Sequence, residues 1–207
     1  MAVVTISREL GAEGTRIAEA VAETLGAICV DKEVLAELAR EAGLSVELVV
    51  HPEERLRARS NLVSAEMKAL LSSSQRRAAA QQTRDIQQMV QVFRLIAERD
   101  NVVFVGRGAQ IALRDHAAAL HVHLYAPVET RARRIQERRV LPTLDAALQI
   151  ARQADEQRRQ WYRQLFQGID WKNPHYYHLM IDTERIAQNL AVALIVKVAQ
   201  TNAETPN

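Results

Sequence analysis

The stretch "AVVTISRELGAEGTRIAEAVAETLG", residues 2–26, restricts the fold more than any other part of the chain. An apolar, β-branched run leads into a turn holding two glycines, and the turn leads into a helix-spaced pattern. Strand, glycine turn and helix in that order is how a chain builds a phosphate cradle. Lacking a Cβ, Gly11 and Gly14 permit positive φ and let the backbone approach an anion closely. Amides at the start of a Thr15–Leu25 helix would point at that anion, assisted by the helix dipole. The usual cradle reads G-x-x-x-x-G-K followed by Ser or Thr, and no lysine occupies that place here. The segment alone therefore fits either a nucleotide site with changed chemistry or an ordinary strand-to-helix turn.

The rest of the chain repeats the alternation. Runs at Ala2–Ser7, Ala27–Val30, Asn101–Val105, Leu120–Tyr125 and His178–Ile181 read as strands, mostly apolar on both faces as buried parallel strands are. Helical patterns fall at Thr15–Leu25, Lys32–Ala42, about Glu53 to Arg99, Val128–Arg138, Leu144–Phe166 and Arg185–Thr201. The expectation is an α/β fold with a parallel five-stranded sheet flanked by helices. Gly26 and Gly43 stand where helix C-caps belong, Pro127 can open a helix, and Pro142 interrupts one. The connection between the second and third strands is far longer than a crossover requires. Within it Ile86, Met89, Val90, Phe93 and Ala97 share one helical face, and glutamines and arginines fill the solvated remainder.

Composition narrows the function classes. Hydrophobic residues make up 48 % and the formal net charge is +2, which argues against disorder and against a protein devoted to nucleic acid. The single cysteine, Cys29, points to a reducing compartment, so a cytoplasmic location is expected and Cys29 is read as a small core residue. The first strand is reached without a basic leader. No apolar run approaches the roughly 20 residues of a membrane helix. The six histidines show no zinc-ligand spacing.

Arginines supply the remaining clues. Gly106-Arg107-Gly108 ends a buried strand, which places a planar guanidinium at the carboxyl edge of the sheet, where open α/β folds bind ligands. "VETRARRIQERR" puts Arg131, Arg134 and Arg138 on one helical face, with Arg133 and Arg139 read as solvated. A second helix after Pro142 carries Asp155 and Arg158 one turn apart. Two basic helices joined by a break suit a hinged lid over polyphosphate. Asp170-Trp171 is read as core or lid anchor in preference to a base-stacking platform, and Asp182-Thr183 as a cap for the final helix.

Together these segments resemble the cytidylate kinase-like family, a branch of the P-loop nucleoside monophosphate kinases. The likeness runs from "VTISRELGAEGTRIAEAVAETLG" through "VDKEVLAELAREAGLS", "VVFVGRGA", "VHLYAPVETRARRI" and "ADEQRRQWY" to "HLMIDTERI", nearly the whole chain. The resemblance implies one domain. Its core would be 1–31, 100–127 and 176–202, with a helical NMP-binding insertion at 32–99 and a lid at 128–175. It also implies transfer of the ATP γ-phosphate to a nucleoside monophosphate such as CMP or dCMP, with Mg²⁺. By motif, Gly11, Ala12, Glu13, Gly14, Thr15 and Arg16 form the donor loop, and Asp31, Arg107, Asp155 and Arg158 lie on the acceptor side. Arg131 and Arg134 are the lid arginines.

Two departures carry consequences. Against G-x-G-K-G/S-T, Gly14 takes the lysine position and Arg16 the magnesium-binding hydroxyl position, leaving Thr15 as the hydroxyl offered to metal. Arg8 or Arg16 is then the candidate cation for the β/γ phosphates, on which basis Arg8→Ala or Arg16→Ala is expected to cost far more turnover than Lys32→Ala. Glu13 would repel bound phosphate by roughly 1 kcal/mol at about 4 Å even in water. It must turn outward, bind metal, or pair with Arg8 or Arg16. Two other readings stay open: a nucleotide-binding regulator that has lost phosphotransfer, and a helical module using Gln75–Arg99 to dimerise. The long middle helices make a homodimer an expectation.

Overall fold

The computed structural model describes residues 1–41, 84, 86–99, 101–166 and 168–204. The expected cap at Gly43, and most of the expected helical run from 53 to 99, lie outside them. Five strands form one parallel sheet: β1 (Val3–Arg8), β2 (Ile28–Val30), β3 (Val102–Val105), β4 (Ala119–Tyr125) and β5 (Leu179–Asp182). Their spatial order is β2-β3-β1-β4-β5. Each expected strand is present within one residue at either end. β1 pairs with β3 from Val3↔Val102 to Ile6↔Val105 and with β4 from Val3↔Ala119 to Arg8↔Leu124. A strand paired along both edges and covered on both faces has to be apolar throughout, which is why "VVTI" shows no alternation.

Helices cover both faces. α1 (Gly14–Leu25) and the C-terminal α7 (Gln188–Glu204) pack on Val4, Ile6, Val103, Val105, Val122 and Leu124. α2 (Lys32–Glu41), a helix over residues 86–97 (α3) and the end of α6 (Leu144–Leu165) cover Val3, Val102 and Phe104 on the other side. The expected α3 face is the buried one: Met89, Phe93 and Ala97 are in the core, with Ile86 and Val90 packed against it. α5 (Val128–Arg139) joins α6 through a smaller cluster of Ala132, Ile135, Ala147 and Ala151. A four-residue helix, α4 (Ala109–Ala112), follows the glycine turn after β3.

Local signals act as the sequence suggests at most ends. Gly26 closes α1 in the left-handed region at φ 56°. Pro127 precedes α5, and the Thr143 hydroxyl accepts the Ala146 N–H at 3.2 Å to open α6 after Pro142. The final helix begins at Gln188, later than expected. The Asp182 carbonyl first accepts the N–H groups of Arg185 and Ile186 in a separate turn, and the Asp182 carboxylate accepts the Glu184 N–H, so neither Asp182 nor Thr183 caps α7.

Candidate functional site

The turn after β1 lies at the carboxyl edge of the sheet, on the central strand. Glu9 N–H donates to the Leu124 carbonyl at 3.0 Å, extending the β1–β4 pairing by one residue, and Ala12 N–H then bonds back to the Glu9 carbonyl. Gly11 has φ 86°, and a Cβ there would sit 2.7 Å from the Arg131 carbonyl oxygen, so only glycine fits. Glu13 is itself left-handed at φ 58°. The first backbone bond into α1 runs from Ile17 N–H to the Glu13 carbonyl, and no side chain caps this end. The amides of Gly14, Thr15 and Arg16 are thus presented together at a helix start, the arrangement that receives phosphate.

One flank of the turn is held by the arginine face of α5. Arg131 Nη1 donates to the Leu10 carbonyl at 3.3 Å, and Arg134 Nη1 to the Gly11 carbonyl at 3.3 Å. Arg138 Nη2 donates to Glu13 Oε1 at 2.7 Å. Arg134 also reaches the Thr183 hydroxyl at 3.0 Å and its carbonyl at 2.7 Å, tying the loop to the end of β5. Beneath this lies a balanced ion network. Arg131, 3 % exposed, pairs with Glu9 through Nε at 3.0 Å and with both oxygens of Asp155 at 2.9 and 3.2 Å. Lys172 Nζ bridges the same two acids, to Glu9 and, at 3.1 Å, to Asp155. Two carboxylates face two cations, which is what makes burial of this charge tolerable.

The other flank opens into a cleft of about 190 Å³ lined by Ser7, Arg8, Lys32, Val105, Gly106, Arg107, Arg158, Trp161 and Tyr162. Four cations converge there, and no carboxylate is among the described lining residues. Arg107 occupies the left-handed region at φ 56° between Gly106 and Gly108, themselves at 75° and 74°. Arg158 donates to the Arg8 carbonyl at 2.7 Å and lies 5.0 Å from the Trp171 ring, with Lys172 at the same distance from that ring. The Arg8 guanidinium is held down to about 10 by burial first, then by Arg158 and Arg107 beside it. It is still protonated at neutral pH. Below the cleft, Gln110 donates to the Tyr162 and Tyr177 hydroxyls at 2.8 and 3.1 Å, and Tyr177 donates to the Trp171 carbonyl at 2.5 Å. Burial pushes both tyrosines up, so they are neutral phenols that fix the floor.

Of the residues singled out by sequence, the structure brings together Gly11 to Arg16, Arg8, Arg107, Arg131, Arg134 and Arg158 around one edge. Glu13 pairs with Arg138 and, at 3.8 Å, with Arg16, but not with Arg8. Asp31 is not in the cleft lining: its Oδ1 accepts the N–H groups of Glu33 and Val34 at 2.9 and 3.0 Å and opens α2. Asp155 sits in the ion network, outside that lining. Lys32 lies in the cleft beside Arg8 and is no remote control for it. Trp171 is fully buried, as the core reading expects, and Arg133 and Arg139 are exposed. Sequence reasoning missed Glu9, Lys172, Gln110 and Tyr177. Among the described residues no helix is long and apolar enough to cross a membrane, and no group of three or more His, Cys, Asp or Glu could hold a metal.

A five-stranded parallel sheet in this order, with an uncapped glycine turn after its central strand and arginines across its carboxyl edge, defines an α/β protein of the P-loop kinase type. A model of the cytidylate kinase-like family matches residues 3–185, and the chain belongs to that family. Solved structures agree on the fold. An uncharacterised protein from Eubacterium ventriosum superposes with a TM-score of 0.70 at 19 % identity, covering 97 % of this chain and 99 % of that one. A gluconokinase from Sinorhizobium meliloti gives 0.53 at 15 % identity, covering 100 % and 98 %. A shikimate kinase from Bacteroides thetaiotaomicron gives 0.50 at 14 % identity, covering 98 % of each chain. No curated protein matches the sequence significantly.

Proposed function

We propose that the protein is an ATP-dependent phosphotransferase acting on a nucleoside monophosphate, with cytidylate (CMP or dCMP) the first acceptor to test. One observation carries this reading: the Gly11–Thr15 turn with its uncapped amides adjoins a cleft where Arg8, Lys32, Arg107 and Arg158 converge. The amides of residues 14–16 hold donor phosphates. The cleft cations hold the anionic group of the acceptor, and Trp161 and Tyr162 form its less polar wall. Phosphoryl transfer asks a protein for placement and charge more than for covalent help, and this site is equipped for both. Arg8 and Arg16 flank the turn in sequence and are its candidate phosphate-binding cations, while Arg131 and Arg134 hold its carbonyls. Domain roles follow the family pattern, with residues 32–99 on the acceptor side and 128–175 as a lid.

The residues present fit a magnesium ion of the kind that leans on substrate. Thr15 offers a hydroxyl at the start of α1, and Mg²⁺ in such sites keeps waters and takes most other ligands from phosphates. When bound, the ion neutralises phosphate charge. A regulatory protein that binds nucleotide without turnover is the second reading, favoured by the absent lysine and by Glu13 paired to Arg138 and Arg16.

A coupled assay with Mg-ATP and a panel of nucleoside monophosphates decides between them, with shikimate and gluconate as non-nucleotide acceptors. ATP consumption only in the presence of CMP or another monophosphate supports the proposal. Consumption with a hydroxy acid instead keeps the phosphotransferase and replaces the acceptor. Tight ATP binding with no turnover on any acceptor selects the regulator. Light scattering of the same sample checks the expected homodimer.

A further inference from the structure

Laid on residues 8–15, the cradle pattern G-x-x-x-x-G-K puts Arg8 at the first glycine and Gly14 at the lysine. These two departures touch each other. A Cβ built on Gly14 would lie 2.5 Å from both Cβ and Cγ of Arg8 and 3.2 Å from its Cδ. Farther along the same side chain, a Cβ on Gly106 would lie 2.1 Å from Arg8 Nη1. One arginine therefore leaves the end of β1, passes over the first residue of α1 and ends beside the turn after β3, where it lines the cationic cleft. While Arg8 is in place, position 14 has no room for a lysine. With any side chain at position 14, Arg8 has no room to pass.

We propose that positions 8 and 14 have exchanged duties: Arg8 carries from the strand the phosphate-binding cation that a lysine at position 14 would carry from the helix. Gly14 and Gly106 stay bare to let it through to the boundary between donor turn and acceptor cleft. The inference deepens the phosphotransferase reading, names which of its two candidate cations acts, and rests on that reading. Arg16, the other candidate, has a side chain 66 % exposed and turned toward Glu13, and it is not in the cleft lining. The exchange also changes what the cation does. An ammonium is a point charge, whereas the planar fork of a guanidinium bonds two oxygens side by side. Placed at the boundary, Arg8 can bond one oxygen of the donor's terminal phosphate and one of the acceptor's anionic group. The charges of Arg158 and Arg107 beside it oppose the charged form of Arg8, and an anion arriving there would counter them.

Two measurements test this, neither of which reads turnover. In the absence of ligand, Gly14→Ala is expected to lower the melting midpoint by at least about 4 °C, an ordinary overpacking cost for a chain of this size. In an Arg8→Gly background the same change should cost less than half of that. Equal losses in both backgrounds overturn the steric coupling. In calorimetry with Mg²⁺ and the non-hydrolysable ATP analogue AMP-PNP, Arg8→Gly should weaken binding by roughly tenfold or more. Gly14→Lys alone should be no tighter than wild type. The double variant Arg8→Gly/Gly14→Lys should return to within about threefold of wild type if the lysine resumes the duty. A double variant no better than Arg8→Gly overturns the exchange and leaves the kinase reading standing, provided wild type binds. A wild-type protein that binds no AMP-PNP overturns both.

Discussion

The two flanks of the Gly11–Thr15 turn are both rich in arginine, yet they hold it in opposite ways. On the α5 side, Arg131 is matched by Glu9 and Asp155, Arg138 by Glu13, and Arg134 by carbonyls and the Thr183 hydroxyl. On the cleft side, Arg8, Lys32, Arg107 and Arg158 share a cavity whose described lining contains no acid. Charge that is already balanced builds the loop. The four cations of the cleft are where the anionic group of a ligand is proposed to bind. A count of arginines could not separate the two groups, because residue type is the same on both sides and only the partners differ.

The contrast can be broken by experiments that should affect stability on one flank and substrate handling on the other. The largest expected effect is on the balanced side. Glu9→Ala leaves the buried Arg131 with one acid fewer and should destabilise the fold by about 3–5 kcal/mol in urea unfolding, whether or not nucleotide is present. A loss under about 1 kcal/mol would show that the network is not structural. Next, Arg107→Ala should cost roughly 10- to 100-fold in kcat/KM for the acceptor, the worth of one charge-assisted phosphate bond, while unfolding stays within about 1 kcal/mol of wild type. If that variant instead melts early and keeps its affinity, the cleft side is structural too.

A third prediction concerns the sheet itself. His121 and His123 are buried, and burial holds their pKa values down to about 4 and about 3, helped by His178 near the first and by Lys172 and Arg158 near the second. Both are neutral in the folded protein at pH 5, whereas the unfolded chain protonates them below about 6.5. Their contribution to stability is therefore complete above that value and is lost as the pH falls toward 4 and 3. The slope is at most about 1.4 kcal/mol per pH unit for each histidine. His121→Asn should flatten that slope in denaturation series between pH 6.5 and 4. The smallest effect belongs to the exposed Arg138, whose replacement by alanine should cost no more than about 1 kcal/mol and lose even that in high salt.

Much of the architecture is legible in the sequence, for a physical reason. Buried parallel strands leave unbroken apolar runs, and all five stand within a residue of their expected ends. The Ile86–Ala97 face and the Gly26 cap are equally local signals. Helix α4 escaped because four residues are too few to show a period. The Gly106-Arg107-Gly108 edge and the Arg131, Arg134 and Arg138 face were visible because strand ends and helix faces are periodic objects. Glu9 and Lys172 were not, since each sits in a turn where spacing says nothing about which distant charge it meets. Asp31 and Asp155 show a different limit of motif reading. Each stands in a motif that points toward a ligand, and the motif does not reveal the protein partners the structure gives them, helix amides for one and Arg131 and Lys172 for the other. Gln110 has no signal beyond being polar in an apolar neighbourhood.

The position of β1 has one more consequence. Its backbone amides and carbonyls are shared between β3 and β4, and both sheet faces above it are covered by helices. In deuterated water its amides belong among the last to be labelled, since a segment bonded on both edges opens only when most of the molecule does. Arg8 stands two residues beyond the last β1–β3 pair, Ile6↔Val105, so the guanidinium proposed to meet the anions is anchored at the end of a strand whose middle is among the slowest to exchange.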